Sequence, residues 1–336
     1  IGATGERFSA MLGFGYVKED PVMAGDRYIS KEPVYQTGNF FGSGTSPNGR
    51  FALCPDGFDP ASGTCSGAQT NFDGGAGTFT YDGAGTAPRP YLANPPLDRY
   101  NFAPENYLLT PQERRSVFAN ASADITHDIR FKTTVTYNQR ESEQLLAAMP
   151  VTLGTAPGTT ENARSVFISA DNLYNPFGQD VSRINRRITE TGGRSFNQDV
   201  RTFAMNAGFE GTLNFSDKYY DWEAGYFYGE NKANNTTFGL YNVSALRNAL
   251  GPSMMVDGNP TCVRTAGDAA SAIAGCVPLN LLGGVGGVTQ DMLDYVSFTA
   301  HDEYNYTQKT YYANFGRELF DLPGGPLGFS VGLEHR

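Results

Sequence analysis

The sequence predicts an all-β fold: an antiparallel up-and-down sheet of about seven long strands, open, forming a transmembrane β-barrel segment of a larger barrel. Three observations predict it. Apolar and polar residues alternate over segments much longer than a globular strand. Short and long connections alternate along the chain. No apolar run approaches the roughly eighteen residues that a membrane-spanning helix needs. The 336 residues are 40% hydrophobic and 18% charged, with 40 glycines and 13% aromatic residues. The mean hydropathy is −0.38, as expected of strands that show a bilayer only every second residue.

The clearest alternation runs from Phe203 to Phe215. Odd positions read Phe203, Met205, Ala207, Phe209, Gly211, Leu213 and Phe215, and even positions Thr202, Ala204, Asn206, Gly208, Glu210, Thr212 and Asn214. Globular strands usually stop after about five or six residues. A short turn at Ser216-Asp217-Lys218 leads to a second strand with Trp222, Ala224, Tyr226 and Tyr228 on the same face and Glu223, Gly225, Phe227 and Gly229 opposite. The design recurs twice. Val117 to Ile125 turns through Thr126-His127-Asp128 into Ile129, Phe131, Thr133, Val135 and Tyr137, with Arg130, Lys132, Thr134, Thr136 and Asn138 on the other face. Tyr311, Ala313, Phe315 and Leu319 turn through residues 322–326 into Leu327, Phe329, Val331 and Leu333, opposite Gly328, Ser330, Gly332, Glu334 and Arg336. The first strand, near Arg7 to Lys18, aligns Phe8, Ala10, Leu12, Phe14 and Tyr16.

The long connections fall at 24–110, 149–195 and 236–292. In an up-and-down sheet alternate connections lie at opposite ends, so all tight turns share one end and all long loops the other. Outer-membrane barrels have this asymmetry. The loops are rich in turn formers. Residues 72–87 (FDGGAGTFTYDGAGTA) read as a Gly-rich loop with an internal echo, and residues 243–250 (VSALRNAL) as a short loop helix. Cys54 and Cys65 share one polar loop and Cys262 and Cys276 another, which favours local disulfides and an oxidising compartment. Phe215, Tyr219, Tyr220, Trp222 and Phe320 cluster beside tight turns, as an interfacial aromatic girdle would.

Net charge is −10. That excludes nucleic acid as the expected partner, since the compact basic groups are only Arg114-Arg115 and Arg186-Arg187. No enzyme chemistry is expected. His127, His301 and His335 are far apart, no Gly-x-Ser-x-Gly elbow occurs, Gly283 to Gly287 follows no phosphate-loop pattern, and Asp302-Glu303 reads as solvated. No cofactor or metal is expected, and the cysteines lack Cys-x-x-Cys spacing. The polar face carries the functional expectation: Arg130, Lys132, Asn138, Asn206, Glu210, Glu223, Glu334 and Arg336 are candidates to face a barrel lumen. Tyr35, Phe40, Phe41, Phe51, Phe72, Tyr81, Tyr91 and Tyr174 are loop aromatics available to stack on a ligand.

Several phrases resemble the TonB-dependent receptors, especially large xanthomonad-like ones: residues 101–115 (NFAPENYLLTPQERR), 171–178 (DNLYNPFG), 246–253 (LRNALGPS), 276–281 (CVPLNL) and 320–329 (FDLPGGPLGF). The resemblance implies an outer-membrane barrel of about 22 strands filled by a plug domain. It implies coupling to an inner-membrane energy-transducing partner and uptake of a scarce or bulky substrate such as a siderophore, cobalamin or oligosaccharide. Residues 1–336 then form a partial barrel, without plug or closing C-terminal strands. The ends agree with an excised piece: Ile1-Gly2-Ala3-Thr4 is no start or signal peptide, and Glu334-His335-Arg336 stops inside an alternating pattern. The alternatives are a passive porin-type channel and a surface β-rich binding protein or adhesin.

Overall fold

The computed structural model describes residues 1–82, 87–95, 97–216 and 218–336. Turn residue Asp217 and part of the glycine-rich echo, residues 83–86, lie outside the described residues.

One sheet contains β1 (Gly2–Thr4), β2 (Phe8–Glu19), β3 (Gln112–Asp124), β4 (Ile129–Leu146), β5 (Arg194–Phe215), β6 (Lys218–Tyr241), β7 (Ser297–Leu322) and β8 (Gly325–His335). Its strand order is the chain order and neighbouring pairs are antiparallel. The seven long strands are therefore up-and-down, as their alternation predicts. The sheet is open: among the described residues β2 and β8 do not pair. The expected edge is corrected in one respect. Gly2, Ala3 and Thr4 pair with Met11, Ala10 and Ser9, so β1 and not β2 is outermost along that stretch.

Register follows the alternation. One row crosses seven strands as Phe8, Ala123, Phe131, Phe209, Ala224, Ala313 and Leu333. The next row, on the opposite face, reads Ser9, Ser122, Lys132, Gly208, Gly225, Tyr312 and Glu334. A one-residue slip of any strand would exchange the two sets, which is why the pattern fixes the pairing. The last hairpin is tighter than expected. Leu322 pairs with Gly325, so the ladder runs to a two-residue turn instead of stopping at residues 322–326.

The three long connections do not remain separate loops. They fold together into one cap with its own five-stranded sheet, in the order Pro150–Gly154, Asp180–Arg187, Arg50–Cys54, Phe79–Tyr81 and Pro88–Pro90. The cap core draws Phe51, Leu53 and Phe79 from the first connection, Leu153, Val181 and Ile184 from the second, and Leu250, Leu279 and Leu281 from the third. Burial of each such side chain contributes roughly 1.5–3 kcal/mol. The third connection is shorter than expected, because β6 continues to Tyr241. The expected helix forms at Val243–Leu250. The Asn242 side chain accepts from the Ser244 and Ala245 amides at 2.9 and 3.2 Å, and Leu246, Ala249 and Leu250 at helical spacing meet the core. A further helix, Gln290–Val296, leads directly into β7.

Arg186 and Arg187 hold the connections together. Arg186 is fully buried. It donates to the carbonyls of Asn280, at 2.9 Å, and Gly284, and pairs with Glu190 at 3.1 Å. Burial pushes its guanidinium below the ordinary arginine range, and Glu190 opposes that shift. Arg187 points the other way along the strand, donates to the Ala148 carbonyl and lies 5.3 Å from the Tyr100 ring centre. Cys54–Cys65 and Cys262–Cys276 are bonded, each within one connection of the cap.

Candidate functional site: the two faces of the sheet

The face built from the apolar alternation is uncovered. Phe14 and Phe215 are 73% and 74% exposed, whereas cap residues Phe51 and Ile184 are 0% exposed. On β5 the apolar positions run from Phe203 to Phe215, and the pairing adds Tyr220, Trp222, Ala224, Tyr226 and Tyr228 of β6 to the same face. Thirteen residues at about 3.3 Å each span about 40 Å along the strand; a tilt of about 45° reduces this to about 28 Å, close to a bilayer's hydrocarbon thickness. Toward the cap the same face turns charged. Arg201 pairs with Asp199 at 2.6 Å, Lys232 with Glu230 at 3.0 Å and Arg115 with Glu141 at 3.7 Å. The apolar zone is thus a band with a charged border.

Four of the five aromatic residues singled out at the tight turns share this face. Phe215 pairs with Lys218, and Tyr220 and Trp222 follow at alternate positions. Phe320 joins them because a bulge after Glu318 shifts the parity and sets it opposite Leu327. Tyr220 stacks on Phe315 at 5.2 Å and receives a hydrogen bond from Arg317 at 3.1 Å. Tyr219 is a correction: it pairs with Asn214, so it stands on the polar face. Adjacent positions of one strand cannot share a face. Nearer the cap, Tyr226 with Tyr311, at 4.9 Å, and Phe203 with Tyr228, at 6.0 Å, form further aromatic pairs. Their shared parity, next to the point where the alternation becomes charged, was the available sequence signal.

The opposite face brings most of the polar candidates together. Lys132 pairs with Glu210 at 2.5 Å, and Arg130 with Asp124 at 2.6 Å. Glu223 accepts from Asn314 Nδ2 at 2.5 Å, and Asn206 accepts from the Tyr312 hydroxyl at 3.2 Å. Asn138 lies between Ser116 and Thr202 in the same surface. Glu334 and Arg336 pair with each other at the end of β8, away from the rest. A hollow of about 390 Å³ is lined by Asn120, Lys132, Asn206, Glu210, Glu223 and Tyr312. The Tyr312 ring lies against Gly225; a Cβ there would come within 2.5 Å of the ring Cζ. Glycine is what lets the tyrosine cross the sheet and reach Asn206. Two ion pairs, the Glu223 carboxylate and several amides make this a polar face.

The loop aromatics divide. Phe51 and Tyr81 are buried in the cap core, which corrects their reading as available to a ligand, and Phe72 and Tyr174 pack against that core. Tyr35, Phe40 and Phe41 are exposed. Tyr91 lies under the Arg50 guanidinium, 4.3 Å away.

No family model matches the chain, and no curated protein matches it. The solved structures that align with it include two that cover nearly all of this chain. One is the siderophore receptor PiuA from Acinetobacter baumannii, at 12% identity and TM-score 0.28, covering 98% of this chain and 36% of that chain. The other is the open form of the ferric-catecholate import receptor Fiu from E. coli K12, at 11% identity and TM-score 0.26, covering 99% and 47%. The chain therefore spans less than half the length of either.

Proposed function

We propose that this chain is part of an outer-membrane β-barrel belonging to a receptor-transporter that takes up a scarce or bulky substrate, such as a siderophore, cobalamin or oligosaccharide. The observation that carries the membrane reading is the division of hydrophobic surface. The cap holds a buried core, while the seven long strands leave a continuous apolar band uncovered on one face. A water-soluble sheet would bury such a band against a second layer, whereas lipid covers it without one. In this reading the bilayer meets the Phe209 face, and the Lys132–Glu210 face lines the interior against water or a plug domain. The cap stands outside the membrane, in an oxidising space where both disulfides persist. Energy coupling through an inner-membrane partner rests on the resemblance of residues 101–115 and 320–329 to TonB-dependent receptors.

Trp222 is the single tryptophan and gives a direct test. The chain is refolded in detergent micelles, and its fluorescence is followed as brominated detergent replaces the ordinary one. Strong quenching is expected. An unquenched Trp222 in a chain that stays monodisperse without detergent would refute the membrane reading and favour the surface binding protein. A plug-encoding segment upstream in the same reading frame supports the receptor, and its absence supports the passive channel.

A further inference from the structure

Arg50 and Asn185 are directly opposite in the cap sheet, and Arg183 lies two residues along from Asn185. Their neighbours Phe51 and Ile184 point into the core, so Arg50, Asn185 and Arg183 share the sheet's other face. Asn185 is buried, and its Oδ1 accepts from Arg183 Nε at 3.0 Å. Arg50 Nε donates to Thr78 Oγ1 at 2.9 Å and its guanidinium covers the Tyr91 ring. Among the described residues neither Arg50 nor Arg183 makes an ion pair. The nearby carboxylate, Asp98, is engaged by Arg89 at 2.8 and 2.5 Å and by the Leu92 amide at 2.6 Å. The Tyr91 hydroxyl is buried and has no hydrogen-bond partner among the described residues. It lies beside Gly44, whose missing side chain leaves space within 4 Å of both that hydroxyl and Arg50 Nη1.

Two half-buried cations of like charge, with no counter-ion among the described residues, and an orphaned hydroxyl are an expensive arrangement in a chain of net charge −10. An oxyanion supplies what all three groups lack. Planar guanidiniums grip carboxylate or phosphate oxygens in pairs, and a tyrosine hydroxyl adds a third donor. We propose that Arg50, Arg183 and Tyr91 form a binding site for the phosphate or carboxylate group of a small ligand, with the Gly44 backbone as its wall. The site stands independently of the membrane reading, because it is built wholly within the cap.

Isothermal titration of the detergent-solubilised chain tests it, with inorganic phosphate and citrate as probes and chloride at equal ionic strength as control. Saturable one-to-one binding of at least one probe is expected. Phosphate alone indicates a phosphorylated ligand, and citrate alone a carboxylate ligand. R50Q and R183Q should each weaken binding at least about tenfold, as loss of a charged hydrogen-bonding partner does. Y91F should weaken it less, and R183K, which keeps the charge without the fork, should fall between R183Q and the parent. Circular dichroism checks that each variant is folded. Binding of neither probe above chloride overturns the proposal, as does parental affinity in folded R50Q and R183Q. Neither result touches the Trp222 measurement, so the two readings fail separately.

Discussion

Arg183 and Arg186 sit three residues apart on one strand, and the structure gives them opposite energetic roles. Arg186 has both terminal nitrogens of its guanidinium met, by two carbonyls and Glu190. Arg186→Met should destabilise the cap by about 3–5 kcal/mol, because it takes the cation from half-buried Glu190, which keeps only the Gly286 amide, and leaves the Asn280 carbonyl without its donor. Hydrogen exchange should show residues 280–287 losing protection first. Arg183 has the reverse balance. Burial, and then the facing Arg50 charge, push it down to about 10, with Tyr91 opposing. Below about pH 10 both folded and unfolded chains hold the proton, so the penalty is present throughout the physiological range. It is relieved as pH rises from about 10 toward the ordinary arginine range. Arg183→Gln should therefore match or exceed the parent in thermal stability at pH 7, and the parent should gain on it above about pH 10. Paired melting curves from pH 7 to 11 check both statements.

At the scale of strands, parity decides what a substitution costs. Phe209 and Glu210 are adjacent on β5 but face opposite ways. Phe209→Arg places a cation within the apolar band and should block outer-membrane assembly, at about 2–4 kcal/mol near mid-bilayer. Glu210→Gln only loosens the exposed pair with Lys132, worth about 1 kcal/mol or less. Heat-modifiable electrophoretic mobility after expression separates the two, and equal tolerance would count against the assigned faces. Gly225 shows a second constraint that parity alone does not reveal. A side chain there collides with the Tyr312 ring, so Gly225→Val should displace Tyr312 and empty its hydrogen bond to Asn206. In the cap, the Cys262–Cys276 bond closes a separation of 14 residues. Replacing both cysteines with serine should cost about 3 kcal/mol in the chain-entropy model, seen as a lower urea midpoint for the cap.

The whole molecule contains two hydrophobic systems of opposite design. The cap buries its apolar residues among three chain segments far apart in sequence. The long sheet turns its apolar residues outward and has open edges at β1 and β8. Unpaired edge amides and carbonyls cannot persist in lipid and invite pairing with other chains in water. The chain by itself should consequently aggregate without detergent and fail to conduct in planar bilayers. Light scattering and single-channel recording check the two halves. Hydrogen exchange in detergent should find its slowest amides in the Phe51, Val181 and Ile184 strands of the cap, where burial is complete.

Period-two alternation determined the long strands by itself. A run such as Phe203 to Phe215 has one register that keeps its apolar set together, so strand identity, neighbour order and the two faces were all legible from it. The local cysteine spacing and the helix at Val243–Leu250 were legible for the same reason: each depends on residues close in sequence. The cap was not. Phe51, Phe79, Val181 and Leu250 lie in Gly- and Pro-rich connections without sustained periodicity, and nothing local tells that they meet. The same limit separates Tyr91, half-buried below Arg50, from Tyr81, lost in the core. Bulges are the third case. The parity shift after Glu318 and the two-residue turn at the end of β7 arise from pairing with β8, and strand pairing is a property of two segments rather than one. Local repetition was enough to specify the sheet; the cap and its arginines were decided only by which distant segments could bury one another's apolar surface.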